Sequence, residues 1–175
     1  MHTETDHDID LVAPWLKMDK TRWLAGAFAG VFGGLLALAF GAVLAKMGGH
    51  EALFPVKIMA LPFLGSTATE VGVTNVTIKA IVVGLVAFEA LCAFLGAVFA
   101  HFTYTNAPGA LLGMGFTWGA FSWIFINNLF SPSFLDVRAA DISRGAAFGF
   151  WMVFGLSLMS VAFFDRTLRG SGSKA

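Results

Sequence analysis

The chain has 175 residues, of which 57% are hydrophobic and only 13% are charged. A soluble domain is typically about 45–50% apolar and about 25% charged, so this composition argues against a water-soluble protein. Basic and acidic residues balance at 11 each, and this zero net charge gives no support for nucleic acid as a partner. We therefore expect an integral membrane protein.

Four stretches that are nearly free of charge divide the chain. Each has about 19 to 22 residues, close to the ~20 that cross a ~30 Å hydrocarbon core as a helix. None alternates between polar and apolar residues as a membrane β-strand does. The stretches are 24–45, 80–100, 110–130 and 146–164. We predict an all-α fold, a four-transmembrane-helix bundle that forms a single integral membrane domain.

Polar segments flank the predicted bundle. Residues 1–22 form a polar, partly acidic tail, unlike the short basic start of a signal peptide, so we expect the first span to be retained. Residues 167–175 are expected to form a flexible tail.

Four spans place both termini on one side of the membrane. The basic residues divide almost evenly between the two sides, but three precede the first span and one follows it, which favours cytoplasmic termini in a bacterial inner membrane. Trp15, Trp23 and Tyr104 would then form an aromatic belt on the cytoplasmic side. The basic residues on that side are Lys17, Lys20, Arg22, Arg166, Arg169 and Lys174.

Small residues mark the helix faces that are expected to pack. Two consecutive GxxxG steps lie in the first span, at Gly26, Gly30 and Gly34, and Gly33, Ala37 and Gly41 are predicted to extend the same stripe. Glycine lets helix backbones approach closely in lipid. The fourth span repeats the pattern with Gly145 and Gly149. The partner is either a helix of this chain or a helix of another subunit.

The segment between the first two spans contains ALFPVKIMALPFLG, residues 52–65. This apolar run is too short to span a bilayer, so we predict a short interfacial helix that begins at Pro55 and ends near Pro62. The segment either lies flat on the bilayer or docks a partner protein. The candidate docking residues are Phe54, Pro55, Met59, Pro62 and Phe63.

No catalytic, metal or cofactor motif is apparent. His50 and His101 are expected on opposite faces of the membrane, so they cannot be the two ligands of one haem, and His2 and His7 lie in the polar tail. No CxxC, HExxH, phosphate loop or serine elbow is present. We predict no catalytic residue, no metal site and no cofactor.

Glu89 stands alone as an acid within the second span. Helical spacing places Cys92, Ala93 and Gly96 on its face, so the carboxyl is predicted to project from a face that packs against protein. An intramembrane charge costs at least ~2.5–3.5 kcal/mol, whereas a neutral acid can donate a hydrogen bond. Ser122, at the same depth in the third span, is the predicted partner.

The order of these features resembles a loose group of uncharacterised bacterial four-helix membrane proteins. The matching parts are the glycine-rich first span, LFPVKIMALPFLG, and a short second loop before a glycine-rich third span, which cover about two thirds of the chain. The resemblance implies the architecture and no site residues.

Two functions fit the sequence. The first is a non-catalytic accessory subunit of a larger membrane complex, of respiratory or electron-transport type, that contacts lipid and other membrane subunits through glycine-rich faces. The second is a small transporter or channel component in which Glu89 handles protons or ions, with several copies of the chain assembling to form a path.

Overall fold

The computed structural model describes residues 19–68, 74–126 and 143–172, and these ranges are helical apart from short connections. Two 3₁₀ turns, Gly65–Ala68 and Leu158–Ser160, supplement the α-helices. In chain order the α-helices are α1 (Lys20–Met47), α2 (Phe54–Ile58), α3 (Leu61–Leu64), α4 (Thr74–Phe102), α5 (Pro108–Ile124), α6 (Arg144–Ser157) and α7 (Val161–Gly172).

Three helical segments are long and apolar enough to cross a membrane: Lys20–Met47, Ile78–Phe102 and Arg144–Gly170, the last formed by α6 and α7 together. The prediction of a helical membrane protein is therefore confirmed. Helix α5 has 17 residues, and the π turn at 125–126 continues it. The predicted N-terminal tail up to residue 18, the end of the predicted third span and the loop that follows it lie outside the described residues.

Helix α1 is the centre of the bundle. It packs along α4 on one face and against α6 and α7 on another, while α5 packs on α6. The helix begins at Lys20, earlier than predicted, because the Asp19 carboxylate caps it by accepting hydrogen bonds from the amides of Thr21 (3.0 Å) and Arg22 (3.2 Å). Gly48 ends the helix, and the chain turns through Gly49 with a left-handed φ of 81°.

The predicted glycine stripe of α1 packs within this chain, against α4. A Cβ atom at Gly26 would lie 2.5 Å from Ala100 Cβ, and one at Gly30 would overlap the carbonyl oxygen of Cys92. Conversely, a Cβ at Gly96 would lie 2.7 Å from Gly30 Cα. These backbones are closer than any side chain would allow, which is the geometry that small residues permit in membrane helices.

The stripe does not extend to Gly33 and Gly41 as predicted, because these two glycines face α6 instead. A Cβ at Gly33 would lie 3.2 Å from the Phe154 carbonyl oxygen, and one at Gly41 would lie 3.0 Å from the Phe150 ring. Helix α1 therefore has two small-residue faces, one for α4 and one for α6.

A second seam joins α5 to α6 through glycines that the sequence analysis did not name as packing residues. A Cβ at Gly155 would lie 2.6 Å from Gly119 Cα, whereas a Cβ at Gly145 would meet no described residue within 4 Å. Gly149 faces α1 instead, since a Cβ there would lie 3.2 Å from the Phe40 ring. Gly145 lies in the first turn of α6, and its predicted packing role stays a prediction.

The connector between α1 and α4 forms two short helices rather than one. Each has a proline in its first turn, so Pro62 begins α3 instead of ending α2. Helix α2 packs against α1 and α4, and a Cβ at Gly84 would overlap the Val56 carbonyl oxygen. Lys57 is 1% exposed. The connector is thus part of the packed bundle.

Helices α6 and α7 run continuously through the 3₁₀ turn at Leu158–Ser160. The hydroxyl of Ser157 donates to the Val153 carbonyl (2.6 Å), and that of Ser160 donates to the Ser157 carbonyl (2.8 Å). Such hydroxyl bonds compete with the helical ladder and explain a break without proline. Helix α7 extends to Gly172, past the predicted end of the fourth span, and includes part of the segment expected to be a flexible tail.

The α1–α4 seam predicts the effect of adding one methyl group. Gly30→Ala places a Cβ against the backbone of α4, which cannot move aside without separating the helices, so we expect a loss of about 1–3 kcal/mol. Gly113→Ala is the matched control, because it also lies within a helix and has nothing within 4 Å. The free energy of unfolding of both variants is measured in mixed micelles. Equal stability of the two variants would contradict the seam.

Candidate functional site

Glu89 lies on α4 and is covered by α1. Both of its carboxyl oxygens are buried and accept or donate no hydrogen bond among the described residues. Gly34 makes the room for this side chain, since a Cβ there would lie 2.7 Å from Oε2 and 3.1 Å from the Cys92 sulfur. Cys92 itself is fully buried. The acid therefore sits inside the helix seam without a polar partner from the described part of the chain.

The predicted hydrogen bond between Glu89 and Ser122 is not formed. Ser122 is fully buried, but its hydroxyl also has no hydrogen-bond partner in the part of the chain that the structure describes. Helix α5, which carries Ser122, packs mainly on α6, whereas Glu89 faces α1. The prediction failed because equal depth in the membrane gives a position along the bundle axis but not a direction around it.

A polar network, which was not predicted, lies at the end of the bundle where α1 begins. Arg22 is 8% exposed, and its guanidinium donates to Asn106 Oδ1 (2.6 Å) and to the carbonyls of Thr103 (2.8 Å) and Thr105 (3.0 Å). It also forms an ion pair with Asp165 of α7 (3.3 Å). One side chain thus connects α1, the α4–α5 loop and the last helix.

The network continues to the surface through Arg169. Its Nε donates to Asp165 (3.0 Å), and its Nη2 donates to the second carboxylate oxygen of Asp19 (2.5 Å). The hydrogen bond from Arg169 lowers the pKa of Asp19, and the amides of Arg22 and Thr21 act in the same direction. Asp19 is therefore held as a carboxylate. We call Asp19, Arg22, Thr103, Thr105, Asn106, Asp165 and Arg169 the Arg22 network.

Trp23 and His101 make a further contact between α1 and α4 beside this network. The Trp23 indole donates from Nε1 to Nδ1 of His101 (3.1 Å), and the two rings meet edge to face with centroids 5.3 Å apart. Because an indole N–H can only donate, Nδ1 carries no proton, and the neutral imidazole carries its proton on Nε2.

An open cavity of about 260 Å³ adjoins the Arg22 network, and we call it the end cavity. Its lining combines the charged groups of the network with two aromatic residues and a histidine. The lining residues are Asp19, Arg22, Trp23, Ala100, His101, Tyr104, Asn106, Asp165 and Arg169.

A second buried cation lies near the other end of α1. Lys57 forms an ion pair with Glu51, whose side chain is 41% exposed, and His50 stacks on Phe54 with ring centroids 4.4 Å apart. His50 follows the end of α1, whereas His101 contacts Trp23 near its start. The two histidines are therefore at opposite ends of that helix.

The predicted docking residues divide into two groups. Pro55 lies against α1, where a Cβ at Gly41 would be 3.3 Å from its ring, and Met59 packs against the core. Phe54 is half-buried, while Pro62 and Phe63 are exposed. Of the five predicted docking residues, only Pro62 and Phe63 are exposed.

Comparison with known proteins gives no relative: no family model matches the chain, and no curated protein or solved structure matches it significantly. The predicted resemblance to four-helix bacterial membrane proteins therefore stays a prediction.

The Arg22 network predicts a strong dependence of stability on one ion pair. Arg22→Gln removes the buried cation that pairs with Asp165 and leaves this carboxylate only the half-exposed Arg169, and breaking a buried pair on one side costs up to about 3–5 kcal/mol. We expect the double variant Arg22→Gln with Asp165→Asn to recover part of this loss. Lys20→Gln, which removes an exposed cation two residues away, should change stability little. Chemical unfolding in detergent compares the four proteins, and equal losses for Arg22→Gln and Lys20→Gln would disprove the role of the pair.

Proposed function

We propose that the chain is a four-span protein of the bacterial cytoplasmic membrane, with both termini in the cytoplasm. The bond between Asp19 and Arg169 supports an even number of spans, because it brings the start of α1 to the end of α7. Three crossing segments alone would separate these two ends by the thickness of the bilayer. Helix α5 supplies the fourth crossing, since 17 residues extend about 26 Å and the π turn lengthens it further.

In this membrane the protein acts as a non-catalytic accessory subunit of a larger complex, with an energy-converting assembly of respiratory or electron-transport type as its host. The observation that carries this proposal is the outward position of Phe63, which is 66% exposed on a connector whose first helix, α2, has a buried side. Val56, Lys57 and Ile58 hold the connector in the bundle, and Gly65 turns the chain away with a φ of 64°. An exposed aromatic side chain on a segment that is anchored in the bundle suits a protein interface.

Phe63→Ala tests this proposal, because it removes the exposed ring and leaves the buried anchor of the connector intact. We expect the gently solubilised wild-type protein to co-purify with larger membrane proteins at fixed stoichiometry, and the variant to lose most of these partners. Phe163→Ala is the matched control, since Phe163 is also 66% exposed but lies on α7. It should keep the partners.

The mass of the extracted complex and the identity of its chains give the readout. Recovery of the wild-type protein only as a monomer or homo-oligomer would refute the accessory-subunit proposal, and so would an equal loss of partners in both variants.

A specific observation favours a second function, the handling of protons or ions by Glu89. Its carboxyl oxygens are buried and have no polar partner among the described residues. A polar group in this state costs stability, and ionisable residues within membrane helices commonly serve transport. If the role of Glu89 were to hold two helices together, its carboxyl group would need a hydrogen-bond partner, and the described residues provide none.

Glu89→Gln separates the two functions, because the amide keeps the shape of the side chain and cannot exchange a proton. For a transporter we expect a pH-dependent flux of protons or ions into liposomes, and this flux should fall at least about tenfold in the variant. The free energy of unfolding in detergent should change by less than about 1 kcal/mol. Ser122→Ala, which alters another buried polar group that has no hydrogen-bond partner among the described residues, should leave the flux unchanged. Absence of flux in the wild-type protein, or equal flux in Glu89→Gln, would exclude this function.

A further inference from the structure

The end cavity lies at the level where lipid headgroups meet a membrane protein. Its lining comes from the first turn of α1, the last turn of α4, the α4–α5 loop and α7, which lie toward the ends of the three segments of membrane-spanning length. Tyr104 lines it and is 54% exposed, next to the half-buried Trp23. Tryptophan and tyrosine favour the boundary between hydrocarbon and water. Any molecule that enters this cavity therefore comes from the headgroup layer or from the adjoining water.

Some hydrogen-bond donors of the lining have no acceptor among the described residues. Both carboxylates, Asp19 and Asp165, already accept hydrogen bonds or ion pairs from arginine. Nη1 of Arg169 and the Nε2–H of His101 donate to no residue that the structure describes. N–H donors from a guanidinium and an imidazole are well suited to the oxygens of a phosphate group.

The charges of the described lining residues add up to zero. Arg22 and Arg169 balance Asp19 and Asp165, and the hydrogen bond from Trp23 identifies His101 as neutral. A ligand with a net negative charge would leave an unbalanced charge in a partly buried site, which is costly. A zwitterion adds none, and the half-exposed carboxylate of Asp19 can still accept hydrogen bonds from an ammonium group.

We propose that the end cavity binds the headgroup of a zwitterionic phospholipid that carries a primary amine, with its phosphodiester at Arg169 and His101 and its ammonium group at Asp19. An ethanolamine headgroup has the N–H donors that Asp19 accepts, whereas a choline headgroup has none. The acyl chains would lie along the apolar outer side of the bundle. The choice of headgroup thus follows from both the donor surplus and the zero net charge.

Native mass spectrometry of the full, delipidated chain in neutral detergent tests the proposal. Phosphatidylethanolamine, phosphatidylcholine and phosphatidylglycerol with identical acyl chains are added separately. We expect the wild-type protein to retain phosphatidylethanolamine at least about tenfold better than the other two lipids. Arg169→Gln and His101→Phe should each reduce this retention toward the level of phosphatidylcholine. Arg166→Gln, which removes an exposed arginine from the same helix, should leave it unchanged.

Competition distinguishes a lipid from a free anion. Inorganic phosphate at millimolar concentration should not displace bound phosphatidylethanolamine, and displacement would overturn the lipid assignment in favour of a phosphate-ion site. Equal retention of the three lipids by the wild-type protein, or equal effects of Arg169→Gln and Arg166→Gln, would also overturn it. The comparison of lipids on the wild-type protein needs no variant, so it decides the matter even if Arg169→Gln does not fold.

Discussion

The close approach of α1 and α4 is the constraint on which the rest of the structure depends. Lipid removes the hydrophobic force between helices, so association relies on van der Waals contact between surfaces that fit. Gly26, Gly30 and Gly96 allow this fit because they have no side chain to hold the backbones apart. Once α4 occupies one face of α1, only the other small-residue face is left for α6. The order of helices around α1 follows from these two faces.

Polar contacts at the start of α1 then fix how the helices are aligned along the bundle axis. A glycine seam is smooth and would tolerate sliding, whereas an ion pair requires two particular residues to meet. Arg22 with Asp165 supplies this requirement between the start of α1 and α7, whereas Lys57 with Glu51 joins two residues of the connector beyond the end of α1. The apolar middle provides close packing, and the Arg22 network provides register.

The apolar runs and the GxxxG spacing predicted the helices and the main seam because both are local patterns, readable from neighbouring residues. The Arg22 network was missed because its partners lie far apart in sequence, and a count of basic residues treats each as a free surface charge. Asp165 and Asn106 gave no local signal, since they lie just outside the apolar runs. Glu89 was placed on the correct small-residue face, but its partner was wrong because a helical wheel does not identify the neighbouring helix.

Arg22 and Glu89 show opposite solutions to the same physical problem, the burial of an ionisable side chain. The guanidinium of Arg22 is buried near the membrane boundary and has both nitrogens of its fork satisfied by acceptors. The carboxyl of Glu89 is buried among helices without such bonds in the described residues, and an apolar side chain would fit the same space at lower cost. Residues that the fold does not need are most often explained by function, because natural sequences depart from good packing mainly at functional sites. Arg22 is thus sufficiently explained by stability, and Glu89 is not.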